Sequence, residues 1–160
     1  MGKDCLISEM LSLIFLHNVT KRIQMNKNKS IKNIAFEIEI PIYKIYLRVI
    51  VGDDNFYKKM LNKLNINMDE IKDDRTLSAE ALQCYNKQGI LFPLIRFREI
   101  DFTPGSWCEI VHEVSHVTFY VLGNAGIQVN KDNSEPFAYL NEFIFYKVVD
   151  KLKNYYDKLK

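Results

Sequence analysis

The strongest chemical signal in this sequence is a pair of histidines four residues apart. His112-Glu113-Val114-Ser115-His116 reads H-E-x-x-H. On a helix, positions i and i+4 lie one turn apart on the same face. Two imidazoles so placed reach one metal ion at about 2.0–2.1 Å each. Glu113 is turned by about 100° around the helix axis. It therefore misses the ion and is placed to act on water beside it, as a general base. Zinc is the expected ion, because it lowers the pKa of water and polarises a carbonyl. The chain has only three histidines, and two of them are in this motif.

Such a zinc site needs a third protein ligand and an open fourth position. His17 is far away in sequence, near the N-terminus. Cys108 precedes His112 by one turn but stands eight residues from His116. That is about 12 Å along a helix axis, too far for one ion to span. Cys108 is read as a small core residue instead. The acids that follow are Asp132, Glu135 and Glu142. Glu135, 19 residues past His116 and in the first turn of the next helix, ranks first. Glu142 is the runner-up, as ligand or as a supporting partner, and Asp132 is third. Tyr120, Tyr139 and Tyr146 could serve as oxyanion donors but read first as packing residues. Trp107 reads as a core plug.

These residues need elements to hold them. Ser106 and Glu109 form an S-x-x-E capping box ahead of the motif. Ile110, Val111, Val114, Val117, Val121 and Leu122 give that helix its apolar face. Gly123 is the expected terminator. Ser134 then caps a last helix with Phe137, Leu140, Phe143, Ile144 and Val148 inward. Upstream the period changes to two. Ile34, Phe36, Ile38 and Ile40, then Tyr43, Ile45, Leu47, Val49 and Val51, alternate with polar residues as half-buried strands do. Pro41 is a bend in one strand or a boundary between two. Asp53 and its neighbours offer a cap to a helix carrying Phe56, Tyr57, Met60, Leu61 and Leu64. Asn86-Lys87-Gln88-Gly89 turns a hairpin over 82–97. Pro93 lacks a ladder donor and so marks the second arm as an edge strand. A peptide docks on such an edge.

The N-terminal 33 residues differ. Residues 5–17 fit a short helix. Residues 18–33 hold Lys21, Arg22, Lys27, Lys29 and Lys32 and no acid. They read first as a solvated arm, second as one that docks a protein partner in a larger assembly. Nucleic acid is the less favoured partner, since the whole chain carries only +2. The domain proper is 34–160. At 160 residues and 48% hydrophobic the chain can bury a core. Three scattered cysteines make no disulfide framework and fit a reducing, intracellular compartment. No run of 18 apolar residues spans a membrane. The order of strands, hairpin and two helices gives an α+β class.

The segments IVHEVSHVTFYVL and SEPFAYLNEFI resemble the zincin metallopeptidases, in the branch whose third ligand is a glutamate on the following helix. Small phage- and mobile-element-encoded members are the most similar. The resemblance is specific over 107–145 and only topological over 34–106. It implies a zincin-like fold: a small mixed or antiparallel sheet whose edge-strand hairpin packs on an active-site helix, followed by a glutamate helix. It implies that His112, His116 and Glu135 bind Zn2+ and that Glu113 is the catalytic base. The expected activity is that of a zinc-dependent peptidase-like hydrolase, a metalloprotease acting on a peptide or protein. The alternative is a catalytically silent, zincin-fold component of a bacteriophage virion or other assembly. Two features depart from larger zincins: the chain leaves little room for a second lobe, and Pro136 directly follows Glu135.

Overall fold

The computed structural model describes residues 30–66, 77–86 and 88–159. The helix expected at 5–17 and all but the last few residues of the arm at 18–33 lie outside them. The described chain joins the domain at Ile31, which is fully buried and bridges Ile100.

Alternating apolar residues make β1 (Ile34–Ile40) and β2 (Ile45–Val51), paired antiparallel from Ile34 with Val51 to Ile40 with Ile45. Pro41 is the boundary between them. It starts a short 3-10 turn, Pro41–Tyr43, and Lys44 closes it in the left-handed region at φ 52°. Gly52 ends β2 where a Cβ would meet Phe56 Cδ1 at 2.6 Å, so only glycine fits. Helix α1 (Asp54–Lys63) follows, and the Asp53 carboxylate caps it by accepting from Phe56 N at 2.8 Å.

Strands β3 (Ala79–Tyr85) and β4 (Leu91–Phe97) form the expected hairpin. Asn86 Oδ1 accepts from the amides of Gln88 and Ile90, both at 2.9 Å, and Gly89 takes φ 75°. The sheet order is β1-β2-β4-β3, with β2 and β4 parallel. The strand that carries Pro93 is therefore central, not the edge as its proline suggested. The hairpin's bonds explain why. Arg98 N donates to Ser78 O and Asn86 N to Ile90 O. Bonded pairs alternate along an antiparallel ladder, so even-numbered β3 residues bond β4. Pro93 faces Gln83, an odd-numbered, unbonded partner. Its nitrogen thus points towards β2, whose ladder begins only at Leu94. By the same alternation the backbone groups of Ala79, Ala81, Gln83 and Tyr85 point out from β3, which among the described residues is the edge strand on this side of the sheet.

Helices α2 (Pro104–Asn124) and α3 (Glu135–Asp157) cover one face of the sheet. Ile110, Val114, Val117 and Val121 of α2 and Ile144, Val148 and Leu152 of α3 are fully buried against Leu47, Val49, Ile95 and Phe97. Each such side chain contributes about 1.5–3 kcal/mol of transfer free energy. Helix α1 covers part of the other face through Tyr57 and Leu61, packed on Ile50 and Leu94. The result is a small α+β fold with a four-stranded mixed sheet and three helices.

The ends of α2 and α3 differ from expectation. Thr103, not Ser106, is the N-cap of α2, with Pro104 at the first helical position. Ser106 instead donates its hydroxyl to Asp101 Oδ1 at 2.5 Å, and Glu109 accepts from Ser78 Oγ at 2.5 Å. The apparent capping box is dissolved because tertiary partners claim both side chains. Helix α2 runs past Gly123 and stops at Gly126, which takes φ 74° while Ile127 N reaches back to Leu122 O at 2.9 Å. Ser134 occupies the cap position of α3 without a side-chain bond.

Candidate functional site

The α2 helix sorts its motif residues by face. Ile110, Val114 and Val117 turn to the core, while His112 and His116 are exposed. Glu113 lies between these faces, 6% exposed. The His112 and His116 Nε2 atoms are 3.1 Å apart, with their rings at 83°. Two nitrogens bound tetrahedrally at 2.0–2.1 Å from one ion would stand about 3.3 Å apart. The pair, here in direct hydrogen-bond contact, therefore has the nitrogen separation of a chelate.

Burial pushes the Glu113 carboxyl above its ordinary pKa, and the Glu80 and Glu109 carboxylates push the same way. His112 and His116 oppose that shift. Among the described residues no hydrogen-bond donor satisfies the Glu113 carboxylate. A carboxyl held this way is suited to take up a proton. Tyr120, one turn beyond His116, stacks its ring on that imidazole at 6.3 Å and 21°. Its hydroxyl donates to Ala81 O on β3 at 3.3 Å. Burial, then the nearby Glu113 charge, raises the Tyr120 phenol.

The third-ligand candidates are not gathered at the histidines. Among the described residues no group of three His, Cys, Asp or Glu side chains could hold an ion. Helices α2 and α3 run antiparallel: Trp107 meets Phe145, Phe119 meets Phe137, and Thr118 Oγ1 lies 3.2 Å from the Asn141 amide oxygen. Glu135 stands six residues before Asn141, about 9 Å along the axis, and is exposed. Glu142, beside Asn141, is nearer the level of His116 and also exposed. Asp132 is exposed in the loop between the helices. The histidine pair thus fits two of a zinc ion's ligands, and a carboxylate must approach to complete the set.

Several neighbouring side chains depart from expectation. Cys108 is exposed, not in the core. Val111 is 45% exposed because it falls beside the apolar stripe rather than within it. Tyr139 and Tyr146, seven residues apart on the outer face of α3, are 70% and 61% exposed. Trp107 does pack against the core, between Phe102 and Phe145. Sequence reasoning passed over Glu80 and Glu109 as neighbours of Glu113. Glu109 was visible as its i−4 partner on one helix stripe. Glu80 was not, because only strand pairing brings β3 alongside.

Comparison with protein-family models, curated proteins and solved structures returned no match to this chain.

Proposed function

We propose that the chain is a zinc-dependent, peptidase-like hydrolase of zincin type, with a peptide or protein as substrate. One observation carries the reading. Two exposed imidazole nitrogens stand at chelating distance on one helix turn, with a buried carboxyl of raised pKa on the adjacent face of the same helix. His112 and His116 would hold the ion, with Glu135 as third ligand and Glu142 as runner-up. Zinc, when bound, would polarise the scissile carbonyl and make water more acidic. Glu113 would take a proton from the attacking water as its oxygen bonds the carbonyl carbon, and would pass that proton to the amine as the C–N bond breaks. The β3 edge beside α2 offers outward backbone groups to an extended substrate.

The first test is metal content of the purified chain, wild type beside His116→Ala, Glu135→Ala and Glu142→Ala. Near one zinc per chain, lost in His116→Ala and in Glu135→Ala, supports the three-ligand site. Loss in Glu142→Ala instead reassigns the third ligand. No zinc in wild type at neutral pH sinks the metalloenzyme reading.

A second reading is a catalytically silent, zincin-fold component of a phage virion or other assembly. The absence of a gathered third ligand among the described residues favours it. Zinc uptake without hydrolysis of any peptide, together with a closed oligomer in solution, would select it.

A further inference from the structure

Tyr120 joins the two elements that flank the histidine pair. Its ring lies on His116 of α2, and its hydroxyl bonds the Ala81 carbonyl of β3. That carbonyl belongs to the outward series of the edge, so it is one of the few acceptors the sheet offers to an added strand. At 3.3 Å the bond is longer than the usual 2.7–2.8 Å for O–H···O, and is therefore easily exchanged. Ala79 and Ala81 present only methyl groups on the α2 side of the edge, so their own side chains do not block it. Further along, Gln83 Nε2 donates to Tyr85 Oη at 2.5 Å, which ties those two side chains to each other.

We propose that Tyr120 is a displaceable cap on the β3 edge, released when an extended peptide takes the Ala81 carbonyl with one of its own N–H groups. The capped edge is blunted against pairing with another chain. The uncapped edge fixes the peptide's register, because Ala81 is the acceptor tied to the residue one turn from His116. The peptide is recognised there through its backbone, whatever its side chains. This inference rests on the peptidase reading, which supplies the peptide but not the cap.

The test uses the full chain and a pool of quenched-fluorescent decapeptides, beside the same pool with N-methylated backbones. Tyr120→Phe keeps the ring on His116 and removes the hydroxyl. A second preparation carries 3-fluorotyrosine at position 120 alone. The expected result is binding about 2–10-fold tighter in Tyr120→Phe, as the loss of one competing hydrogen bond implies. The fluorine signal should shift on addition of the unmethylated pool and stay still with the methylated one. Equal or weaker binding to Tyr120→Phe, with an unmoved fluorine signal, overturns the cap. Peptides bound with the cap response but never cut leave the cap standing and remove the hydrolase reading. Cleavage without any response at Tyr120 overturns the cap alone, and no binding by any peptide overturns both.

Discussion

Each face of the sheet buries one charged side chain, and the two are treated in opposite ways. On the α1 face, Arg96 is 3% exposed and ion-paired. Its guanidinium pairs with Asp54 and, at 3.4 Å, with Glu80, and it lies over the Tyr57 ring at 4.2 Å. On the α2 face, Glu113 is nearly as buried, at 6% exposed, yet no donor among the described residues meets it. Burying a charge costs several kcal/mol unless partners compensate. The first arrangement compensates and so belongs to the fold. The second has only the two neighbouring imidazoles to oppose its desolvation, at the centre of the one motif with catalytic spacing. A buried charge without partners is thus the better guide to chemistry, and a paired one the better guide to architecture.

The largest test of this contrast is Arg96→Ala. It takes the guanidinium from the partly buried Glu80, while Asp54 keeps Arg98 at 3.2 Å, and should cost about 3–5 kcal/mol, read as a fall in the urea midpoint. A loss under 1 kcal/mol would erase the difference between the faces. Glu113→Gln should do the reverse. Replacing an uncompensated carboxylate by a neutral isostere should raise stability by about 1 kcal/mol, while hydrolysis of a peptide pool falls about 10²–10⁴-fold. A destabilised Glu113→Gln would mean that the carboxylate has a structural partner after all.

Capping gives a smaller comparison. Asp53→Ala should cost about 1 kcal/mol, since its carboxylate holds the first turn of α1. Ser134→Ala should cost almost nothing, because that hydroxyl caps no amide. Equal losses in thermal melts would contradict the assigned caps. The last test is pH. Hydrogen bonds from Ser106 and Thr103 hold the Asp101 carboxyl below its ordinary value of 3.8. A carboxyl with a lowered folded pKa adds stability above its unfolded value and loses it as pH falls through the folded one. Wild type should therefore lose thermal stability below pH 3.8 more steeply than Asp101→Asn. Parallel curves would show that this cluster at the start of α2 does not depend on the charge.

Much of the fold was legible because local pattern and tertiary outcome agree. Period-two apolar residues gave β1 and β2, Asn86 and Gly89 gave the hairpin turn, and Leu140, Ile144 and Val148 gave the inner face of α3. The misreadings arose where a side chain or backbone group had a competing partner outside the pattern that was read. Ser106 and Glu109 fit a capping box until Asp101 and Ser78 take them. Pro93 reads as an edge residue until the bonding phase turns its missing donor to where β2 is not yet paired. Cys108, Tyr139 and Tyr146 are apolar enough for a core, but the helix face decides their exposure.

The sequence by itself determined the helix that bears His112, Glu113 and His116 and the one-turn spacing between the imidazoles. Both follow from the 3.6-residue period, a local property of the chain. Only the tertiary structure decided that β3 rather than β4 is the outer strand of the hairpin and that Glu113 is buried with no donor among the described residues. It alone put Asn141, and not Glu135, beside Thr118 of α2, and it alone laid Tyr120 across to Ala81. These depend on strand order, bonding phase and helix register, which are set by contacts between residues far apart in the chain.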